Sequence, residues 1–224
     1  MESGNRPYIP FKYTSKSIHR KEKNKKHLLK QLGLSYRENV PLIGMIARLV
    51  SQKGLDLFEG VLDSIIQQFD LRLVLLGSGE EQYETYLYYL QLNFPDKVVF
   101  YKGYDYPLSH LIEAGSDIFL MPSRFEPCGL NQIYSLKYGT IPVVRRTGGL
   151  ADTIEPYEWQ NQKGTGFVFD HYDGSGLYWA LEYALSTYAH QEAWNTIRKR
   201  AMSKNFSWKK QIQKYISLYL ATAS

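Results

Sequence analysis

Glu126 stands in the run Arg124-Phe-Glu-Pro-Cys-Gly-Leu-Asn131, a single carboxylate held between an aromatic residue and a proline. That setting aims the acid rigidly. Pro127-Cys-Gly129 then turns the chain where a helix begins, so that the backbone N–H groups of Cys128, Gly129 and Leu130 face outward. A carboxylate accepts hydrogen bonds from hydroxyls, and a set of free N–H groups binds oxygens. The unit therefore suits an anionic, hydroxyl-rich ligand. A second loop, Ala47-Arg-Leu-Val-Ser-Gln-Lys-Gly54, sets Arg48 and Lys53 five residues apart before an expected helix. The guanidinium is a planar fork for two oxygens and the ammonium a point charge, a combination that fits a diphosphate. A third, Arg145-Arg-Thr-Gly-Gly-Leu-Ala-Asp152, puts two arginines beside a glycine pair that lets backbone approach a ligand closely.

Each of these residues also has a plainer reading. Two cations in a loop are often only solvated, and Glu126 serves equally as a helix-capping acid. Arg145 and Arg146 divide evenly between site cations and partners of nearby acids. Asp152 reads as a helix cap, Gly77-Ser-Gly79 as a turn, and Tyr104 is one of 19 tyrosines. Cys128 has no histidine near it in sequence and reads as a small turn residue, not a nucleophile. The five histidines lack ligand spacing, no Asp-x-Asp pair is present for a nucleotide's Mg²⁺, and there is neither a phosphate-binding Gly-x4-Gly-Lys loop nor a Gly-x-Ser-x-Gly elbow. No metal or other cofactor is expected.

The elements that must hold these loops alternate regularly. Short apolar runs at Leu42–Ile46, Leu71–Leu76, Val98–Tyr101, Ile118–Met121 and Pro142–Arg145 read as strands, and the apolar Phe167–Phe169 precedes a further loop. Helical spacing marks Leu55–Phe69, Glu80–Phe94, Pro107–Ala114 and Leu130–Tyr138, with two or three more helices beyond the loop Asp170–Gly176. Strands apolar on both faces and separated by helices predict a doubly wound parallel sheet, which binds its ligands beyond the carboxyl ends of the strands. Residues 1–16 read as a linker or extension and 17–224 as one Rossmann-like domain.

Composition narrows the partners. At 44% hydrophobic and 15% aromatic residues the chain is globular, and no stretch nears the roughly 20 apolar residues of a membrane helix. One cysteine excludes an internal disulfide, and the first residues lack the apolar core of a signal peptide. The net charge of +5 is local: eight Lys or Arg fall between Lys12 and Lys30, whereas residues 31–224 hold 18 basic and 20 acidic side chains. The run Arg20–Lys30 reads as a solvated helix face. With no aromatics interleaved it makes a poor nucleic-acid site, so no nucleic acid and no membrane are expected as partners.

The loops at Arg48–Gly54 and Arg124–Asp152 closely resemble those of the donor-binding half of bacterial glycogen synthases and plant starch synthases, glycosyltransferase family 5. The similarity runs from about Lys25 to the C-terminus. It implies the C-terminal half of a GT-B fold, two Rossmann-like domains facing across a cleft. It also implies transfer of glucose, with retention and without metal, from ADP-glucose or UDP-glucose to an α-1,4-glucan. By the resemblance, Glu126 lies against the sugar, Arg48 and Lys53 hold the diphosphate, and Tyr104 stacks on the base. Gln52, Cys128, Gly129, Leu130, Asn131 and Arg146 complete the substrate contacts. The bacterial cytoplasm or the plastid stroma is the implied compartment.

Two departures matter. The Lys-x-Gly-Gly-Leu motif of the family's N-terminal half is absent, and Thr147-Gly-Gly-Leu150 after Arg146 is only an echo of it. The Glu-x7-Glu pair of the wider retaining enzymes has Tyr134 in its second position, which leaves the ribose ligand open. Three other readings stay beside this one: another retaining GT-B domain, a non-catalytic nucleotide-sugar-binding domain, and a nucleic-acid or anion-binding module built on the basic segment.

Overall fold

A computed structural model of the chain describes residues 8–222. Six strands form one parallel sheet: β1 (Leu42–Leu49), β2 (Arg72–Gly79), β3 (Val98–Lys102), β4 (Ile118–Met121), β5 (Ile141–Arg145) and β6 (Phe167–Phe169). Their order is β3-β2-β1-β4-β5-β6. All strands but the edge strand β3, where only Val98 is buried, are buried along most of their length, as the continuous apolar runs require. The order reverses between β1 and β4, and the crevice at such a reversal is where doubly wound sheets take their ligands. The expected fold class is therefore the observed one.

Nine α-helices lie among the described residues: α1 (Lys21–Gln31), α2 (Val61–Gln68), α3 (Glu81–Asn93), α4 (Tyr106–Gly115), α5 (Asn131–Tyr138), α6 (Gly148–Thr153), α7 (Gly174–Tyr188), α8 (Gln191–Ser203) and α9 (Trp208–Thr222). Leu28 of α1 with Leu111 and Ile112 of α4 buries Leu42, Val74 and Leu76 on one face of β1 and β2. The larger core takes in α2, α3, α7 and α8. None of the described helices is long and apolar enough to cross a membrane.

Several expected boundaries move, each for a local reason. Gly77-Ser-Gly79 is not a turn but the end of β2, paired with Ala47, Arg48 and Leu49. A Cβ at Gly77 would stand 2.0 Å from the Ala47 carbonyl, so these glycines let two strands press together. The helix expected over Leu55–Phe69 is broken: 3₁₀ turns occupy Ser51–Lys53 and Leu55–Leu57, and Gly60, at φ +74°, starts α2 afresh. Lys53 therefore opens no α-helix. Asp152 sits in the last turn of α6, whose N-cap is Thr147.

The basic segment departs most from expectation. Lys21 and Lys25, one turn apart on α1, are 2% and 1% exposed. Lys21 Nζ donates to the Ala114 carbonyl at 2.9 Å, the Glu113 carbonyl at 3.2 Å and Thr140 Oγ1 at 2.6 Å. The two carbonyls belong to the last turn of α4, where the helix dipole favours a cation. Lys25 Nζ reaches Asp117 Oδ2 and the Val40 carbonyl, both at 2.7 Å, and the Tyr188 hydroxyl at 3.3 Å. Burial, then the Asp117 carboxylate, pushes the Tyr188 phenol up. These lysines are structural pins, and the remaining charges of α1 are its solvated face.

Of the linker expected over 1–16, residues 1–7 lie outside the described residues. Within the rest, Ile9 and Tyr13 are buried. The Tyr13 hydroxyl donates to the Tyr138 carbonyl at 2.7 Å, so this stretch packs on the domain.

Candidate functional site

The loops after β1 and β4 meet at the reversal point of the sheet. Gly54, at φ +79°, lies so close to Pro122 that a Cβ would fall 2.2 Å from its carbonyl oxygen. That contact fastens one loop to the other. Arg124 N donates to the Gln52 carbonyl at 2.8 Å, and Gln52 Nε2 to the Phe125 carbonyl at 3.3 Å. Lys53 Nζ then comes within 2.5 Å of Glu126 Oε2, their side chains 21% and 9% exposed. Ser123 Oγ donates to the same carboxylate oxygen at 3.3 Å. Glu126 thus caps no helix; it is aimed at the crevice and neutralised by a cation seventy-three residues away.

The turn after Glu126 is fixed from two sides. Gly149 N, in the first turn of α6, donates to the Glu126 carbonyl at 3.0 Å. The buried Gln132 donates through Nε2 to the carbonyls of Cys128 and Gly129 at 2.9 and 3.1 Å. Both contacts take carbonyls. Among the described residues, the N–H groups of Cys128, Gly129 and Leu130 have no protein acceptor. They remain available at the start of α5, whose N-cap, Leu130, offers no capping side chain. Cys128 is an exposed free thiol.

Beside this cluster a cleft of about 360 Å³ opens over the ends of β1, β2 and β3. Arg48 stands at its mouth, paired in register with Ser78 at the end of β2. Tyr104, 71% exposed, and Tyr106 form one wall, their ring centres 6.5 Å apart. Asn131, Tyr134 and Tyr138 of α5 form the other. Asn131 Nδ2 donates to the Ile46 carbonyl at 3.1 Å, tying α5 to β1. The geometry is an open slot with an aromatic wall, a guanidinium at its end, and beyond it an ammonium, a carboxylate and a row of N–H groups. It suits an elongated ligand with a flat ring, an anionic middle and a hydroxylated end.

The expected residues therefore fall into two adjoining groups. Arg48, Tyr104 and Asn131 line the cleft, while Gln52, Lys53, Glu126, Cys128, Gly129 and Leu130 build the polar cluster. Arg146 joins neither: its Nε pairs with Asp170, and its backbone N donates to Phe169 at 2.8 Å. Of the two readings of that arginine, the acid's partner is the one observed.

Tyr172, in the loop after β6, escaped the sequence reading. Its hydroxyl donates to Asp56 Oδ1 at 2.6 Å and to the Ser51 carbonyl at 3.2 Å. The guanidinium carbons of Arg124 and Arg145 lie 5.5 and 5.2 Å from its ring centre. Burial and then the Asp56 carboxylate push its phenol up, so it remains a neutral donor at physiological pH. Its position just past a strand end was the only available signal.

Comparison with known proteins agrees with this architecture. Residues 20–201 match the family model described as "Glycosyl transferases group 1". The chain belongs to that family. It is 43% identical over 213 residues to the glycogen synthase of Bacillus subtilis, covering 95% of this chain and 44% of that protein. To the glycogen synthase of Treponema denticola it is 48% identical over 220 residues, covering 95% of this chain and 44% of that one. The catalytic domain of starch synthase IV from Arabidopsis thaliana, solved bound to ADP and acarbose, superposes with a TM-score of 0.89 at 36% identity. That match covers 98% of this chain and 46% of the plant domain. This glycosyl transferase chain thus spans less than half the length of these relatives.

Proposed function

We propose that the chain is the donor-binding half of a glucan synthase, holding ADP-glucose or UDP-glucose while an opposing domain presents an α-1,4-glucan. The observation that carries this reading is the Lys53–Glu126 pair at the β1/β4 reversal, directly beside the aromatic cleft. In this reading the base lies against Tyr104, with Arg48 and Lys53 on the diphosphate. The N–H groups of Cys128, Gly129 and Leu130 take oxygens of the phosphate or sugar. Glu126 faces the glucosyl ring, where positive charge grows as the nucleoside diphosphate departs. A carboxylate fixed there in advance stabilises the transition state more than the ground state. Lys53 pairs with the acid and turns to the phosphate when the donor arrives. Similarity to two glycogen synthases and to an ADP-bound starch synthase supports the assignment.

Exposed Trp208, Tyr215, Leu218 and Tyr219 on α9 leave apolar surface for the opposing domain. Calorimetric titration with ADP, UDP, ADP-glucose and a single-stranded oligonucleotide tests the reading. Saturable binding of a nucleoside diphosphate is expected, with none of the oligonucleotide. The reverse pattern would return the function to the basic segment.

A further inference from the structure

A second cleft, of about 490 Å³, lies at the end of the sheet opposite the crevice. Helix α8 supplies one wall. Gln191, Asn195, Arg198 and Lys199 are spaced i, i+4, i+7 and i+8, so they share one helix face, and all four line the cleft. His19, just before α1, and Glu22, in its first turn, reach the cleft from one side. Tyr36 and Glu38 reach it from the segment that leads into β1. That segment meets β1 at its N-terminal end, whereas the loops of Lys53 and Glu126 leave β1 and β4 at their C-terminal ends. The eight residues of β1, at about 3.3 Å each, put those two ends roughly 25 Å apart.

Arg198 is the residue in this cleft that lacks a partner. It is 8% exposed, yet among the described residues its Nε has no hydrogen-bond acceptor and its guanidinium no carboxylate at ion-pair distance. Lys21 and Lys25 show the contrast: as deeply buried, each has three partners. A guanidinium does not shed its proton to suit a buried site, and a buried cation left unpaired is costly. The surroundings are fixed in advance. Tyr188, another lining residue, accepts at its hydroxyl from Lys25 Nζ at 3.3 Å and at its carbonyl from Gln191 Nε2 at 2.7 Å. Trp194 meets its ring edge-on, 5.2 Å between centres. Lys26 Nζ stands 4.4 Å over the Tyr36 ring. Glu22 is already engaged by Lys25 at 3.8 Å. Groups held this way lose little freedom on binding.

We propose that this cleft binds a small hydroxylated oxyanion, a molecule with one phosphate or carboxylate group, and that Arg198 is its anchor. The planar guanidinium holds two oxygens of either group at once, which is why it serves where water is scarce. Lys199, exposed at the next position, and His19 bring further donors to the same lining. Glu38, Asn39 and Asn195 are short acceptors for hydroxyls. The two acids of the lining repel a polyanion, so the cleft suits neither nucleic acid nor a nucleoside diphosphate. Its volume is that of a small-molecule pocket, more than an inorganic ion fills. None of these residues belongs to the crevice, so the proposal stands whether or not the donor reading does.

Calorimetric titration of the 224-residue chain with ribose 5-phosphate, gluconate, inorganic phosphate and glucose, each with and without saturating ADP, reads the site. Ribose 5-phosphate or gluconate should bind without displacement by ADP, and the tighter of the two identifies the oxyanion. Inorganic phosphate, which lacks the hydroxyls, should bind more weakly, and glucose, which lacks the charge, not at all. Arg198→Met should weaken binding by about tenfold or more, as loss of a charge-assisted pair does, and Arg198→Lys should recover part of it. Lys53→Ala, in the crevice, should leave it unchanged. The ligand-free Arg198→Met chain should melt no lower than wild type, since it buries no unpaired charge. Ligand should raise the melting temperature of wild type only. Failure of both oxyanions to bind at millimolar concentration would overturn the proposal, as would displacement by ADP or equal binding by Arg198→Met. A ligand-free Arg198→Met chain melting well below wild type would overturn it too, by making Arg198 a structural pin like Lys21.

Discussion

At the scale of single residues, the two members of the Lys53–Glu126 pair should fail in opposite ways. In the proposed reading Lys53→Ala removes a charge-assisted hydrogen bond to the diphosphate, a loss of about 1.5–3 kcal/mol, or roughly ten- to a hundredfold in affinity for ADP. Adenosine, which lacks the phosphates, should bind almost as before; calorimetry on both ligands makes the comparison. Glu126→Gln in a full-length enzyme should leave ADP affinity within a few fold. Its turnover should fall by about a hundredfold or more, as when one preorganised group facing the developing charge is removed. Equal losses in both quantities would move Glu126 from the sugar to the nucleotide. Tyr104→Ala should weaken adenosine and ADP alike, by about the 1–3 kcal/mol of one stacked base. Arg146, bound to Asp170, should tolerate Ala with little change in either quantity.

At the scale of elements, α1 separates buried from solvated charge. Lys25→Gln leaves Asp117 buried without its cation, a disruption of about 3–5 kcal/mol that urea denaturation would register. Lys23→Gln with Lys26→Gln should shift stability by less than about 0.5 kcal/mol, as exposed substitutions do. Sequence pattern alone could not separate these lysines, because burial of a charge depends on which carbonyls and carboxylates arrive from distant segments. The same limit explains the other misses. The alternation of strands and helices and the site loops were legible because burial on both faces leaves continuous apolar runs and because the loops follow them. The strand order was not, since apolar runs do not say which strands pair. The 3₁₀ turns after β1 were not, since Leu55, Phe58, Val61 and Leu62 keep helical spacing across a break that only the φ of Gly60 imposes. Nor was Tyr172, whose partners Asp56, Arg124 and Arg145 come from three other segments of the chain.

At the scale of the whole molecule, the chain matches 44% of the Bacillus subtilis glycogen synthase, and its half-site should behave as one. It should bind ADP-glucose yet transfer glucose to maltoheptaose no faster than background. Orienting two reactants supplies up to roughly 7–11 kcal/mol of a barrier, and in the proposed reading the surface that orients the acceptor lies on an opposing domain. Radiolabel transfer at enzymatic rates by this chain alone would contradict that. The buried lysines of α1 also set a timetable. Lys25 and Tyr188, joined by a hydrogen bond, are 163 residues apart. Ribosomes add roughly 5–20 residues per second, so about 8–33 s separate the emergence of these two side chains. During that interval the Lys25 ammonium can reach Val40 and Asp117 but lacks the Tyr188 hydroxyl and the α7 side chains that cover it. Closure of the domain around it is therefore a late event of biosynthesis, governed by the arrival of α7 rather than by the formation of α1.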